Sequence, residues 1–434
     1  MTLQPRNGRR SPKLPTRSRT DQKSEIFPLQ TSGVLRDLDA NANKLRGVRV
    51  PVVSLDQKEF QKDDINSPSD RKKDGTNIKQ KKPKIYYKTS WEREVVKEAL
   101  KAAGMVRAKK KKTLAHLYWT KHLSRKQIAA LKEGQMTNHF PESWCIGRKD
   151  RLITCFEKAG KQNRKGMYDE FLPKSFLLPR DFDKYKKAAR SRKNMYIMKP
   201  VASSCGRGIK LISKKDKIDR QKKCVIQEYI KSPYLIGLKK FDLRLYCLVS
   251  SFDPLRAYLY REGIVRFASK PYSPKTKASK YSYLTNFSVN QKILPNETED
   301  HKYDEIKWTL SRFWEYIVDT EGREKQEKCE KQIKDIMIKT LIAADAEITP
   351  ALRSSTRSRR CCFELFGFDI LLDSALKPWI LEVNISPSLG VSQHHFYLFI
   401  YKTSINLHYT YTYSVALSNF VYTFYRSRQM STSR

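Results

Sequence analysis

Two apolar runs late in the chain, CFELFGFDILLD at 362–373 and PWILEVNIS at 378–386, are separated only by the residues SALK. They read as the two strands of one hairpin, and any fold of this chain has to accommodate that pair. Strand side chains alternate between faces, so Glu382 and Asn384 share one face while Leu381 and Val383 share the other. On the partner strand Asp369 stands between Phe368 and Ile370. If the hairpin pairs them, three oxygen-bearing side chains converge from one sheet face. Hard, small Mg2+ takes such donors and completes its shell with water and phosphate. An isolated carboxylate buried among apolar neighbours is costly. The plain reading of the same residues is a salt bridge to a nearby arginine, or exposure on a solvated sheet face.

Three further stretches carry chemistry on strand-like sequence. In MYIMKPVASSCGRGIKLI (195–212) a strand ends at Lys199-Pro200, a small-residue loop follows, and a second strand begins. Gly206 and Gly208 allow close backbone approach, and N–H groups there could cradle phosphates beside the lysine. The stretch lacks the GxxxxGK[ST] pattern, since a strand and not a helix comes next; the plain reading is a hairpin loop with a surface lysine. CVIQEYI (224–230) carries Gln227 and Glu228 among apolar neighbours, as an ordinary edge or as the lining of a purine slot. KKFDLRLY (239–246) places Lys240, Asp242 and Arg244 at period two, opposite Phe241, Leu243 and Leu245. That pattern suits a half-buried strand beside a polar cleft, or simply an amphipathic strand.

The 434 residues suffice for two or three domains. A formal net charge of +42 draws in polyanions: nucleic acid, anionic membrane or an acidic protein surface. No RNP1-like, KH-like or zinc-finger signature supports a nucleic-acid binder. No stretch approaches the roughly 20 apolar residues of a membrane helix, and the beginning has no apolar signal core, so no membrane partner is expected. The eight cysteines form no CxxC pair, which points to reduced, intracellular thiols. The seven histidines show no metal-ligand spacing in the sequence.

Residues 1–85, rich in Lys, Arg, Ser, Pro and Asp, read as a disordered basic arm. Residues 86–137 read as a helical and basic segment, with Val95, Leu100 and Met105 in an amphipathic setting. A capped basic helix is expected within 179–193, and AYLYREGIVRFAS (257–269) reads as a hairpin turning at Glu262-Gly263. Helices are expected at 308–318 and 332–348, and a basic loop at 351–360. The class is α+β with mostly antiparallel sheets and flanking helices.

Taken in order, HFPESWCIGRKDRL, MKPVASSCGRGI, VIQEYI, KFDLRLY, YLTNFSVN, KW, CFELFGFDILLD and KPWILEVNISPSL resemble the tubulin tyrosine ligase-like family over roughly residues 138–390. SFDPLRAYLYREGIVRFAS and EVNISPSL look most like its polyglutamylase branch. The resemblance implies an ATP-grasp core with a central subdomain at 138–240 and a C-terminal one at 241–390. It implies an ATP- and Mg2+-dependent ligase that adds free L-glutamate to glutamate side chains in the acidic tails of tubulin, by way of an acyl phosphate. Its location would be the cytoplasm and cytoskeleton, including cilium or basal body.

Position by position, the resemblance gives Lys199 an ATP phosphate and closes the loop at Cys205 and Gly206 over the nucleotide. Gln227, Glu228, Tyr229 and Ile230 would hold adenine, while Lys240, Phe241 and Asp242 line the cleft and Thr285 and Asn286 touch ATP. Arg244, Ser288 and Lys307 would seat the amino acid, Arg244 through its carboxylate, and Lys199 and Arg244 would serve catalysis. Asp369, Glu382 and Asn384 would bind magnesium. The chain departs from the family at Cys205, where Arg or Gln is usual, and at Phe287, where Tyr is usual. It departs again in an atypical aromatic tail over 391–434. Other readings are a tyrosine or glycine ligase of the same family, or a non-catalytic microtubule-binding protein.

Overall fold

The computed structural model describes Phe27, Pro28 and residues 84–388, except 91–92, 103, 110–113, 163–166, 191–194, 202–205, 214–215, 274, 276–278, 291–305, 357 and 359. Nearly all of the basic arm, the tail at 391–434 and Cys205 lie outside the described residues.

Three sheets form among the described residues. Strand β1 (Phe27–Pro28) pairs at the edge of the largest sheet. Next in the chain come β2 (Tyr86–Thr89), β3 (Val106–Arg107), β4 (Leu117–Trp119) and β5 (Met136–Thr137), a parallel sheet in the order β3-β2-β4-β5. The segment expected to be helical therefore combines a small parallel sheet, on which helix Glu94–Ala102 packs, with a second short helix, Arg125–Ala129. Val96, Leu100 and Met105 are buried there with Leu117 and Trp119. Strands of two to four residues are too short to show a period of two, which is why only the helix was legible.

Strands β6 (Ser175–Leu178), β7 (Tyr196–Pro200), β8 (Lys210–Ile212) and β9 (Cys224–Glu228) form an antiparallel sheet in the order β6-β9-β7-β8. The expected basic helix is Phe182–Ala188, and its Tyr185 packs on Phe176 and Tyr196. The largest sheet holds β10 (Leu235–Ile236), β11 (Lys239–Phe252), β12 (Leu255–Phe267), β13 (Lys307–Thr309), β14 (Glu364–Leu372) and β15 (Pro378–Asn384), all antiparallel. Its apolar face buries Leu243, Leu245, Phe368 and Ile380 against helices Lys149–Gln162, Leu310–Glu321 and Arg323–Ser355.

Two local expectations are overturned. Residues 257–269 do not turn at Glu262-Gly263; β12 runs through them, and the chain reverses at Asp253-Pro254. The register steps from Leu245↔Gly263 to Cys247↔Leu259, so the strand bulges there. Gly263 answers a close approach, not a turn: a Cβ would lie 2.8 Å from the Arg244 carbonyl oxygen. The long helix also does not stop at 348. Pro350 costs it one hydrogen bond, yet the helix continues to Ser355 and buries Ala351 and Leu352. The seven described cysteines are buried thiols, none in a disulfide with another described cysteine.

Candidate nucleotide and metal site

The alternation on β11 is realised in space. Phe241, Leu243 and Leu245 enter the core, while Lys240 and Asp242 line a cleft toward the second sheet and Arg244 is buried on the same strand face against Asp369. Strand register sets opposite charges side by side, Asp242 facing Arg266 on β12 and Arg244 facing Asp369 on β14, and it places Asp369 beside a second carboxylate, Glu382 on β15. Arg244 holds both Asp369 oxygens, Nη2 at 3.0 Å. Arg266 bridges Asp369 Oδ2 at 2.7 Å and both oxygens of Asp242. Such buried charges are tolerable only because every partner is present. Burial alone would raise the Asp369 pKa, but Arg244 and Arg266 more than offset it and hold the carboxyl well below the usual carboxylate range.

The opposing wall comes from the β6–β9 sheet and the turn near 285. Lys199 Nζ donates to Gln227 Oε1 at 2.7 Å, and Gln227 Nε2 donates to Ser175 Oγ at 2.9 Å. Lys240 Nζ lies 3.2 Å from the Tyr229 hydroxyl and 4.6 Å from that ring's centroid. Gly206 takes φ +70°, and a Cβ there would lie 2.9 Å from Asn286 Oδ1; only glycine lets the two segments approach this closely. Lys199, Gly206, Gln227, Glu228, Tyr229, Ile230, Lys240, Asp242, Thr285, Asn286, Asp369 and Glu382 all line this one cleft. Its free volume is about 80 Å³.

Other expected site residues lie off it. The Phe241 side chain is in the core against Phe267 and Phe313, so only its backbone can line the cleft. The Arg244 fork, expected for an amino-acid carboxylate, is taken by Asp369. Ser288 is half-buried on the short helix Phe287–Asn290. Lys307 Nζ stands 3.3 Å from the Phe287 ring centroid. Asn384 is paired with Gly367, two register steps from the Asp369–Glu382 pair, and Nδ2 reaches the Gly367 carbonyl at 3.4 Å. Asp369 and Glu382 are paired across the hairpin, Asp369 held by Arg244 and Arg266 and Glu382 by Lys149; as oxygen donors, they and Asn384 are of the type that Mg2+ takes rather than a softer metal.

Sequence reasoning missed two cleft cations. Arg266 was visible on a β-rich run, but only the register with β11 shows it facing Asp242. Lys149, in the quoted GRKDRL motif, lines the cleft and lies 3.0 Å from Glu382 Oε2. One histidine cluster comes together only in space. His122 and His139, far apart from Glu364 in the chain, bring their ligand atoms within 4.8 Å of its carboxylate and of one another. Their rings stack at 3.9 Å with 16° between planes, so the in-plane lone pairs do not converge on one point. The cluster is a hydrogen-bond latch instead. Glu364 accepts from His139 Nδ1 at 2.7 Å, Phe140 N–H at 3.0 Å and Ser143 Oγ at 3.1 Å, and His122 Nε2 lies 2.8 Å from Ser143 Oγ.

Burial pushes Lys240 down to about 7 and Lys199 to about 8, in the latter against the opposing pull of Glu382. Both ammonium groups therefore lose their protons as pH rises through the neutral range. A bound polyphosphate favours the charged forms and restores the protons. Nucleotide affinity is expected to fall as pH rises from 6.5 to about 9, with proton uptake on binding near pH 8 and little at pH 6. Calorimetry in two buffers of different ionisation enthalpy reads the uptake, and Lys240→Met should remove part of it. A binding heat independent of the buffer at pH 8 would contradict the assignment.

The two antiparallel sheets, with helices covering the larger one and a lysine-rich cleft between them, define a mixed α/β protein. Comparison places that architecture: a model of the Tubulin-tyrosine ligase family matches residues 126–408, and the chain belongs to this family. It is 43% identical over 283 residues to human "Tubulin monoglutamylase TTLL4", covering 63% of this chain and 23% of that protein. It is 38% identical over 305 residues to human "Tubulin polyglutamylase TTLL5", covering 68% and 23%. Similarity to Caenorhabditis elegans "Tubulin polyglutamylase ttll-4" is 40% over 275 residues, covering 63% and 45%. The chain thus spans about a quarter of the human relatives and under half of the nematode one.

Proposed function

We propose that this chain is an ATP- and Mg2+-dependent ligase on an ATP-grasp core. In this reading it joins the α-amino group of free glutamate to glutamate side-chain carboxylates in acidic tubulin tails. The observation that carries the reading is the single cleft in which Lys199, Lys240 and Lys149 face Asp369 and Glu382. The glutamylase names of the relatives agree with it.

The target carboxylate attacks the terminal phosphate, the bond to ADP breaks, and an acyl phosphate forms on the target. The glutamate amine then attacks the acyl carbon, phosphate leaves, and the amine gives up a proton as the amide forms. Two oxyanions approach each other in the first step, so cations must offset their repulsion. Lys199 and Lys240 do this at the phosphates, while Gln227 orients Lys199 through their 2.7 Å hydrogen bond. Gln227 to Ile230 flank the base, and Thr285 and Asn286 close on the nucleotide from the other side. Asp369, Glu382 and Asn384 would hold Mg2+, which supplies further charge neutralisation at the phosphates. Arg244 and Arg266 fix Asp369 in its ionised form and orient it. Lys307, with Ser288 nearby on the Phe287 helix, is the cation for the amino acid; burial and then Arg266 lower its pKa to about 7.

Ligand pockets run to about 300–1,000 Å³, far above the free volume of this cleft, so nucleotide entry requires the Gly206 and Asn286 segments to part. The products belong on microtubules, in the cytoskeleton and in cilia or basal bodies. Incubation of the full chain with microtubules, ATP, Mg2+ and labelled glutamate should label tubulin. Label that appears without ATP, or none with all components, would sink the reading.

A further inference from the structure

We propose that Ile385–Ser388, the residues that follow strand β15, are a positioning strap. Seated in two glycine notches, at Gly147 and Gly367, the strap sets where Lys149 and Arg244 meet the carboxylates of the cleft. The proposal rests on the ligase reading, and it gives a task to the ISPS stretch that this reading leaves without one.

The first notch is on helix Trp144–Gly147. A Cβ on Gly147 would lie 2.5 Å from Ile385 Cγ2 and 3.2 Å from both Cγ1 and Cδ1, inside the roughly 3.5–4.0 Å at which carbon atoms pack. Ile385 is buried and β-branched, so it has few rotamers to retreat into. Gly147 has no positive φ, so space and not backbone conformation excludes a side chain there. The other end of the helix is fixed by the Glu364 latch: the Ser143 hydroxyl donates to Glu364 at 3.1 Å, and the Ser143 carbonyl accepts the Gly147 N–H at 3.2 Å. Lys149 comes just after Gly147, Glu382 just before Ile385, and the two side chains meet at 3.0 Å. The Gly147–Ile385 contact therefore fixes the spacing of the two segments that supply this pair.

The second notch is on β14. A Cβ on Gly367 would lie 2.7 Å from Pro387 Cβ and 3.3 Å from Arg244 Cδ. Gly367 shares a strand face with Asp369, pairs with Asn384 and accepts its side-chain N–H at 3.4 Å. The Arg244 stem thus runs to Asp369 beside Pro387, past the space that a side chain at 367 would fill. Tyr246, opposite Gly367 on β11, donates its hydroxyl to the Ser388 carbonyl at 2.9 Å.

The strap is held at Gly147, Gly367 and Tyr246, and each anchor stands two residues from a charged group: Lys149, Asp369 and Arg244 respectively. Core packing by itself requires no such placement. A displaced strap would shift all three charges against Glu382 and one another.

The test is made in the full chain. Gly147→Ala fills the first notch and Ile385→Ala empties it; the two are also combined. Gly160→Ala is the control, since its Cβ would meet Tyr168 at an ordinary 3.7 Å. ATP affinity is read by calorimetry without Mg2+, and glutamate incorporation into microtubules is read with it. Gly147→Ala should lower incorporation on the order of 10²-fold, the scale of a misplacement of about 1 Å. It should lower metal-free ATP affinity up to about fivefold, the scale of one partly exposed ion contact. The glutamate KM should stay within about twofold, since none of the three anchors is on the strand of Lys307, and the control should change nothing by more than about twofold. Adding Ile385→Ala to Gly147→Ala should recover about tenfold of the lost incorporation, although each change alone is harmful.

The loss of ATP affinity should disappear in a Lys149→Met background, because the first notch acts through that lysine. Ile385→Ala carries the same expectation where Gly147→Ala does not fold. A merely structural contact would cost the same in both backgrounds. Equal losses there, or a combined variant no better than Gly147→Ala, would overturn the proposal. ATP binding needs no turnover, so a chain that shows this dependence on Lys149 without ligating fails only the ligase reading. A chain that ligates, and whose Gly147→Ala variant binds ATP and ligates as the parent does, fails only the strap.

Discussion

Replacing Arg266 with methionine is expected to destabilise the fold by about 3–5 kcal/mol, the usual cost of removing one partner of a buried ion pair. The guanidinium is buried and, among the described residues, is the group that joins Asp242 to Asp369. Its loss leaves Asp242 without its guanidinium and Asp369 with Arg244 alone. Arg266→Lys should not rescue, because one ammonium cannot reproduce the planar fork. The sign of the pH effect follows from Asp369, whose folded pKa is depressed. Its stabilising contribution is complete above the ordinary carboxylate pKa and is lost as pH falls through the lower folded value. The variant should therefore unfold at higher pH than the parent on acidification, and at lower urea at pH 7. A loss under about 1 kcal/mol would mean that the row of charges is screened as a surface pair would be.

Glu382→Gln should act differently. The side chain is half-buried beside Lys149, and the substitution keeps its shape, so stability should change by less than about 1 kcal/mol. Glutamate incorporation should fall on the order of 10²–10³-fold, the typical cost of deleting one charge contact to a developing anion. Microtubule binding should persist, since the substitution removes no cation from the surface. Incorporation equal to that of the parent would remove Glu382 from the metal set.

What was legible in the sequence follows from which interactions are local. The terminal hairpin declared itself because its strands are long and their link is short, and Asp369 does stand beside Glu382. The alternation of Lys240, Asp242 and Arg244 survived for the same reason: a strand period is written in adjacent residues. Arg266 was not legible as a network member, because its partners lie on β11 and β14 and only register brings them together. The amino-acid role expected of Arg244 shares this blind spot, as nothing near it in sequence announces Asp369 as its partner. Gly263 misled because a glycine in a strand marks either a turn or a close approach, and the Arg244 carbonyl that decides the matter lies on another strand. The latch at Glu364 joins residues 225 positions apart, beyond any spacing argument.

The most direct measurement is tandem mass spectrometry of tubulin tail peptides after incubation of the full chain with microtubules, ATP, Mg2+ and equal amounts of glutamate, tyrosine and glycine. Glutamate amide-linked to side-chain carboxylates within the tails, and absent without ATP, is the predicted result. Tyrosine or glycine in its place, addition only at the terminal carboxylate, or unmodified tails from a chain that still binds microtubules would contradict it.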